Sequence, residues 1–456
     1  MSDVYRVTCL TPVHVGSGQE LTRDIDFLSE GANTYILDPE RLITAGAGVA
    51  GLPEAIARGE RVADVLRAKR ISLQSLAARD VAGRIEAGKL RLALRAGDGR
   101  PMVPGSSLKG ALRTLLLVGW AANGRPHEAR SREADAAIAS GLRGRKPDSK
   151  PLDDQLFRSP VLRDPRGDAL RTLRVSDAVF HPDQLEVVSS KAVGTSRQTL
   201  TAAEVLKAGA TASLRLTFDR SALLRPLRFP HALPSWEELA GWSRSHARHL
   251  LEGDRQYFAG QPRGEGDRPR ARCEQLLAQL AALPKEAAIL RLAWGTGWRT
   301  MTGDLLTGAE QRQLGMRVGK TRKAILAGHS AGSELTDVLG WIRLDPISAN
   351  QAGSIFVSPA APTADRTESV PAQGAEPPLK RSVQIADPFL DRLRTFKPNE
   401  YSQLPQLLQQ INSRPDREDC LDLLATRLLA LYGTDKKQLK ALREKFPALA
   451  PYLAKP

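Results

Sequence analysis

Apolar and polar residues alternate over residues 4–10, the two-residue period of a strand with one buried face. The same signal returns at 24–28, 34–37 and 90–94, and later at 173–179, 212–218, 287–293 and 339–344. Residues 52–85 are rich in Arg and Ala and read as helix. Leu108, Leu112, Leu115 and Leu116 fall on one face of a further helix. Pro104-Gly105 forms a turn ahead of it, and Ser106 or Ser107 offers an N-cap hydroxyl. Ser235 with Glu238 predicts a capping box for a helix running towards Leu251, and 273–283 reads as another helix.

The polar stretches divide these elements. Residues 125–154 read as a mobile basic insertion and 189–200 as a polar excursion between strands. Residues 346–378 are rich in Pro, Ala, Ser and Thr and read as a flexible linker. Beyond it the pattern is helical again. Pro415 starts a helix that Gly433 stops, with Leu421, Leu424, Leu428 and Leu431 along one face. Strands and helices thus alternate in each half, which predicts an α+β fold of two sandwiches. The expected organisation is a first domain over 1–225, a second over 226–345, the linker over 346–378 and a helical extension over 379–456.

Length and composition support this and add a charge. At 456 residues, 41% hydrophobic and 26% charged, the chain is too long for one ordinary core. Lys and Arg number 66 against 51 Asp and Glu, a formal net charge of +15. Such an excess points to a polyanionic partner, nucleic acid before an anionic membrane surface. No apolar run is long enough to span a bilayer, and the N-terminus lacks the pattern of a signal peptide. Three dispersed cysteines without metal spacing fit a reducing cytoplasm and predict no metal site.

Four motifs carry candidate chemistry, each with a plainer structural reading. VPGSSLKGALR (103–113) places free backbone N–H groups and a positive dipole end beside Lys109 and Arg113, a setting for an anion. The plainer reading is a capped amphipathic helix with two solvated cations. WGTGWRTMTGD (294–304) follows a strand; Trp298 could stack on a base and Arg299 pair with a phosphate, or the loop could be a tight turn with a core tryptophan. HVGSG (14–18) offers His14 as an RNA contact or general base, or as a histidine bonded within a turn. GMRVGKT (315–321) has three residues between its glycines where a phosphate loop needs four. Lys320, Arg322 and Lys323 therefore read as a backbone-contacting patch or a solvated face. Asp24 and Asp26 fall on one face of a strand-like stretch and could bind a metal, but no third carboxylate cluster lies nearby and they read better as surface or turn carboxylates. His246 and His249 share a helix without acidic company.

In order along the chain, LTPVHVGSG, IDFL, TYILDPERL, VPGSSLKGALR, LRVSDA, WGTGW, KTRK and LGWIRL resemble the RAMP superfamily of CRISPR proteins. Within it the resemblance is closest to the fifth Csm subunits of type III-A effector complexes, over roughly residues 4–345. The resemblance implies RRM-like, ferredoxin-type domains. It implies a subunit at the end of a multi-subunit effector, capping the 3′ portion of the CRISPR RNA and contacting a backbone RAMP subunit. Target RNA is then met indirectly, through guide pairing. Gly105, Ser106, Ser107, Lys109 and Arg113 match the family's helix start. Gly16, Gly18, Gly295 and Gly297 match its glycine-rich loops. Some RAMP subunits cut RNA with a loop aspartate, an activity not carried over to the strand-like Asp24 and Asp26.

The expected function is a non-catalytic guide-RNA-binding subunit without cofactors, acting in maturation and assembly for antiviral defence in the cytoplasm. Its expected RNA contacts are His14, Gly16, Ser17, Gly18, Gly105, Ser106, Ser107, Lys109, Arg113, Gly295, Gly297, Trp298, Arg299, Lys320, Arg322 and Lys323. The alternative is a metal-independent endoribonuclease with His14 as base. A third reading is a scaffold that recruits a host nuclease through the tail.

Overall fold

The computed structural model describes residues 4–48, 58, 60–143, 149–161, 167–194, 200–218, 229, 231–262, 264–314, 322–330 and 332–348. Of the C-terminal stretch it describes 393, 396, 404–412, 417–432, 442, 444, 446, 449 and 451–453. The chain forms two compact units, 1–363 and 364–456.

The first unit mixes helices with sheets, as the α+β expectation requires. Its early strands are β1 (Val4–Cys9), β2 (Gly16–Thr22), β3 (Phe27–Glu30), β4 (Asn33–Leu37), β5 (Ala77–Ala82), β6 (Lys89–Ala93), β7 (Met102–Val103) and β8 (Leu173–Val175). There follow β9 (Ala178–Val179), β10 (Leu185–Val193), β11 (Thr201–Leu206) and β12 (Thr211–Phe218). The last are β13 (Ala288–Arg291), β14 (Arg322–Leu326), β15 (Leu335–Asp337) and β16 (Trp341–Pro346).

Strand β1 buries Tyr5, Val7 and Cys9 and leaves the residues between them half-buried, in the alternation the sequence predicts. It lies in the middle of an antiparallel sheet of order β13-β16-β1-β12-β8. A second sheet runs β2-β6-β11-β10-β5-β4-β3, with β14 on β10 and β15 on β14. The boundary expected at 225/226 therefore does not separate two sheets. Strands β13 to β16 join sheets begun before it: β13 pairs with β16 and β14 with β15, and each pair is hydrogen-bonded onto an earlier strand, β16 onto β1 and β14 onto β10.

The helix Gly105–Ala121 buries Leu108, Leu112, Leu115 and Leu116 on the expected face, and its last turn is buried more widely. The predicted Ser cap is not used. Pro104 is the N-cap, without a side-chain bond, and the Gly105 N–H donates instead to Asp177 Oδ1 at 2.7 Å. Gly119 of this helix faces the Trp242 ring of the helix Trp236–Ala259, where a Cβ would lie 2.1 Å from a ring carbon. Gly119→Ala is accordingly expected to lower stability by about 1–3 kcal/mol through overpacking. Urea unfolding measures this, and an unchanged midpoint would contradict the packing. The capping box forms as predicted, with Ser235 N–H donating to Glu238 Oε2 and Glu238 N–H to Ser235 Oγ.

Four local expectations are corrected. Residues 77–82, taken as helix, form β5, because Ala77 and Val81 alternate with exposed positions in the sheet. The supposed mobile insertion holds the helices Arg132–Leu142 and Lys150–Phe157, anchored by Ile138, Leu152 and Phe157. The polar excursion begins as β10, which buries Ser189, Ser190 and Lys191. Lys191 is paired with Glu265 at 3.0 Å. Asp24 and Asp26 lie in the turn between β2 and β3, not in a strand. Asp24 has φ of 63°, and Asp26 Oδ2 accepts the Thr22 N–H at 2.7 Å.

The second unit holds the helices Leu404–Asn412 and Arg417–Tyr432. Leu421, Leu424 and Leu428 are buried in its core and Leu431 partly so, the face read from the sequence. Among the described residues no helix is long and apolar enough to cross a membrane.

Candidate nucleic-acid interface

Three segments distant in sequence meet around Trp294. Strand β13 delivers the chain into the loop 292–297, where Ala293, Gly295 and Gly297 all have positive φ. Two of those positions need glycine's freedom. The turn brings the Trp294 N–H to the His14 carbonyl at 3.1 Å and sets the two rings edge to face at 5.4 Å. Strand β6 projects Arg91 over the Trp294 ring at 5.3 Å, and β14 projects the Lys323 ammonium to 4.4 Å from its centroid. Trp294 itself remains half-buried.

The electrostatics of this cluster favour an anion. Lys323 is held below its ordinary value by burial and then by the neighbouring Arg91. Its ammonium reaches the Thr201 hydroxyl at 3.4 Å and has no carboxylate partner among the described residues. Arg91 pairs with Glu20 across β2 and β6 at 3.0 Å. Two cations on one aromatic ring with one carboxylate between them leave positive charge that a phosphate would relieve.

Behind them lies Glu204, fully buried on β11. It accepts hydrogen bonds from Arg79, from the Arg95 Nη2 at 3.2 Å and from the Ala93 N–H at 2.9 Å. Burial pulls the Arg95 guanidinium below its usual value, against the pull of Glu204. The Glu204 carbonyl lies 2.6 Å from His14 Nδ1. His14 is 2% exposed, and burial lowers its basicity. It organises the loop from inside and does not offer its ring to solvent, which corrects its reading as an RNA contact or base. Gly16 is required beside it, since a Cβ there would lie 2.9 Å from His14 Nε2.

Other expected site residues are distributed elsewhere. Gly16, Ser17 and Gly18 open strand β2 rather than forming a free loop, and they are exposed. Ser17 Oγ donates to the Leu92 carbonyl, and the register slips between Gly16 and Glu20. Gly105 is a packing glycine, with the Val175 carbonyl 2.2 Å from where a Cβ would stand. Ser106 is exposed, while Ser107 and Lys109 are half-buried on the same helix. Arg113 is not a free cation. It pairs with Asp153 at 2.6 Å and lies over the Phe157 ring. Trp298 starts a short helix and lines an apolar pocket of about 310 Å³ with Leu117, Ile138 and Met301, on other elements than Trp294. Arg299 is paired with Asp304. Arg322 is committed to the buried Asp254 at 2.6 Å and to the Tyr257 ring. Lys320 lies outside the described residues.

The structure thus unites His14, Gly16, Gly295 and Lys323 but leaves the helix start 105–113 apart from that group. Trp294, Arg91, Arg79, Arg95 and Glu204 were missed. WGTGW contains both tryptophans, and only the three-dimensional turn decides which one meets the cations.

These features define an α+β chain in which early and late segments of the first unit build one cationic, aromatic patch. The chain belongs to the RAMP superfamily, whose family model matches residues 6–253. No curated protein sequence matches it. Its fold is similar to that of the crystal structure of T. onnurineus Csm5, with a TM-score of 0.55 and 20% identity, covering 74% of this chain and 99% of that one. It is similar too to a chain in the cryo-EM structure of a Csm-crRNA-target RNA ternary complex of the type III-A CRISPR-Cas system. That match has a TM-score of 0.56 and 20% identity and covers 76% of this chain and 100% of that one.

Proposed function

We propose that this protein is a non-catalytic guide-RNA-binding subunit of a type III-A CRISPR effector, capping the 3′ portion of the CRISPR RNA. The observation that carries this reading is the patch of Trp294, Arg91 and Lys323, an aromatic ring with two cations against it and short of carboxylate. Aromatic stacking and phosphate neutralisation are the two terms that hold single-stranded RNA without reading its sequence. The similar chain comes from a complex with crRNA and target RNA, which supports guide RNA and Csm subunits as partners. In this reading a backbone RAMP subunit abuts the protein, target RNA is met through the guide, and the protein aids guide maturation and complex assembly in the cytoplasm. The two large sheets then correspond to two fused RRM-like units. The helices after residue 379 are the surface for any host nuclease.

The test is expression of the tagged chain with the other complex subunits and a guide array. A small RNA of defined length should co-purify, and Arg91→Met with Lys323→Met should reduce it several-fold while both side-chain stems still cover Trp294. Recovery of the wild-type chain in a complex free of RNA would contradict the reading. The nuclease alternative is disfavoured by the burial of His14. Precursor cleavage in EDTA that disappears in His14→Ala would reinstate it.

A further inference from the structure

A second cluster fixes the far end of the loop that carries Trp294. His246 and His249, one turn apart on the helix Trp236–Ala259, meet His127 from the segment after the helix Gly105–Ala121. The His127 ring stacks on His249 at 3.7 Å and on His246 at 5.0 Å. Its Nε2 is 2.7 Å from His246 Nδ1, so one of the two nitrogens donates and the other accepts. His249 Nε2 lies 2.9 Å from Asp304 Oδ2, and the same carboxylate oxygen accepts from Arg299 Nε at 2.7 Å. Histidines without acidic company in sequence therefore gain it in space.

The backbone shows that this end is held tightly. His127, Gly303 and Asp304 all have positive φ. A Cβ at Gly303 would lie 2.4 Å from Val118, and the Arg299 guanidinium lies close against Gly253. Residues 298–304 are thus bound to two helices, to one through His249 and the Arg299–Asp304 pair and to the other through Gly303 against Val118, with His127 and His246 stacked behind His249. Among the described residues no three His, Cys, Asp or Glu side chains are arranged to hold a metal.

We propose that the stack of His127, His246 and His249 forms an acid-sensitive clamp that fixes residues 298–304 while His127 and His246 are neutral and releases them when these two gain protons. Three imidazoles share a cage with the Arg299 cation, and its one facing carboxylate, Asp304, is already engaged by Arg299 and His249. Asp254 acts on Arg299 from the same helix. Burial first, then the neighbouring His249, lowers His246 from 6.5 to about 4. Burial and then His246 lower His127 to about 3. A released imidazole regains its ordinary value and takes up the proton that the closed cage refuses. The clamp is therefore at full strength above pH 6.5 and weakens as pH falls towards 4. At pH 5 the protonation of His246 alone favours the open form by roughly thirtyfold over pH 8.

Hydrogen exchange of the full chain, resolved by segment and corrected for the intrinsic effect of pH, tests this between pH 8 and 5. Peptides covering 298–304 should lose protection on acidification at a pH where β1 and β12 keep theirs. His246→Asn, which preserves a polar atom at the Nδ1 position, should flatten that pH response. Loss of protection in 298–304 only together with β1 and β12 would overturn the clamp, because that is global acid unfolding. So would an unchanged response in a folded His246→Asn. Should that variant fail to fold, the segment comparison in the wild type decides alone.

Discussion

Replacing Asp254 with alanine is expected to destabilise the protein by about 3–5 kcal/mol, because it strands two buried cations. Asp254 is 2% exposed on the helix Trp236–Ala259. It accepts from Arg291 Nη1 of β13 and from Arg322 Nε of β14, each at 2.6 Å. Burial pushes its carboxyl upwards, but the two guanidinium ions outweigh that and hold it below the usual carboxylate range. Arg291 is as buried as its partner and also lies over the Trp341 ring. The carboxylate thus binds a helix to strands of both sheets. Its folded value is depressed, so its contribution is present above the ordinary Asp range and is lost as pH falls through the folded value. Urea unfolding at neutral pH measures the effect. A loss below about 1 kcal/mol would mean that solvent reaches the two arginines.

The second large effect is expected at Glu204. Glu204→Ala removes the acceptor of Arg79, Arg95 and the Ala93 N–H at once. The two arginines are about a quarter exposed and can turn to water, so the cost falls at the low end, about 3 kcal/mol. Glu204→Gln should recover part of it, since the amide oxygen still accepts from the backbone. Urea midpoints of the two variants check this. Equal losses would show that charge, not the N–H partner, accounts for the effect.

Much of the frame was legible in the sequence. Strand β1, the leucine face of the helix Gly105–Ala121, the Ser235–Glu238 box and the C-terminal leucines all follow from local periodicity. The sheet memberships were not legible, because β16 finds β1 only through pairing across most of the chain and carries β13 with it. Polar β10 defeated the pattern for a related reason: Ser190 and Lys191 are buried with partners, the Thr201 carbonyl and Glu265, that sequence spacing does not reveal. At the site, motif and role came apart. VPGSSLKGALR reads as an anion site from its glycine, serines and cations. In the fold Gly105 serves close packing and Arg113 is neutralised by Asp153. Lys323 was recognised and kept, while Arg91 looked like one charged residue of an ordinary strand. A cation's availability depends on which carboxylate the fold places beside it, and that is decided over distances no motif spans.

The central claim is that the Trp294 patch holds an RNA backbone. Its most direct test is the salt dependence of single-stranded guide RNA binding by the wild type and by Arg91→Met with Lys323→Met. Each cation that neutralises a phosphate contributes about 0.7 to the slope of log affinity against log salt. The wild type should bind with a steep slope, and the double variant should bind more weakly with a slope smaller by about 0.7–1.4, the lower figure holding where Glu20 keeps Arg91. Equal slopes and affinities in the two proteins would contradict the account and move the RNA to another surface.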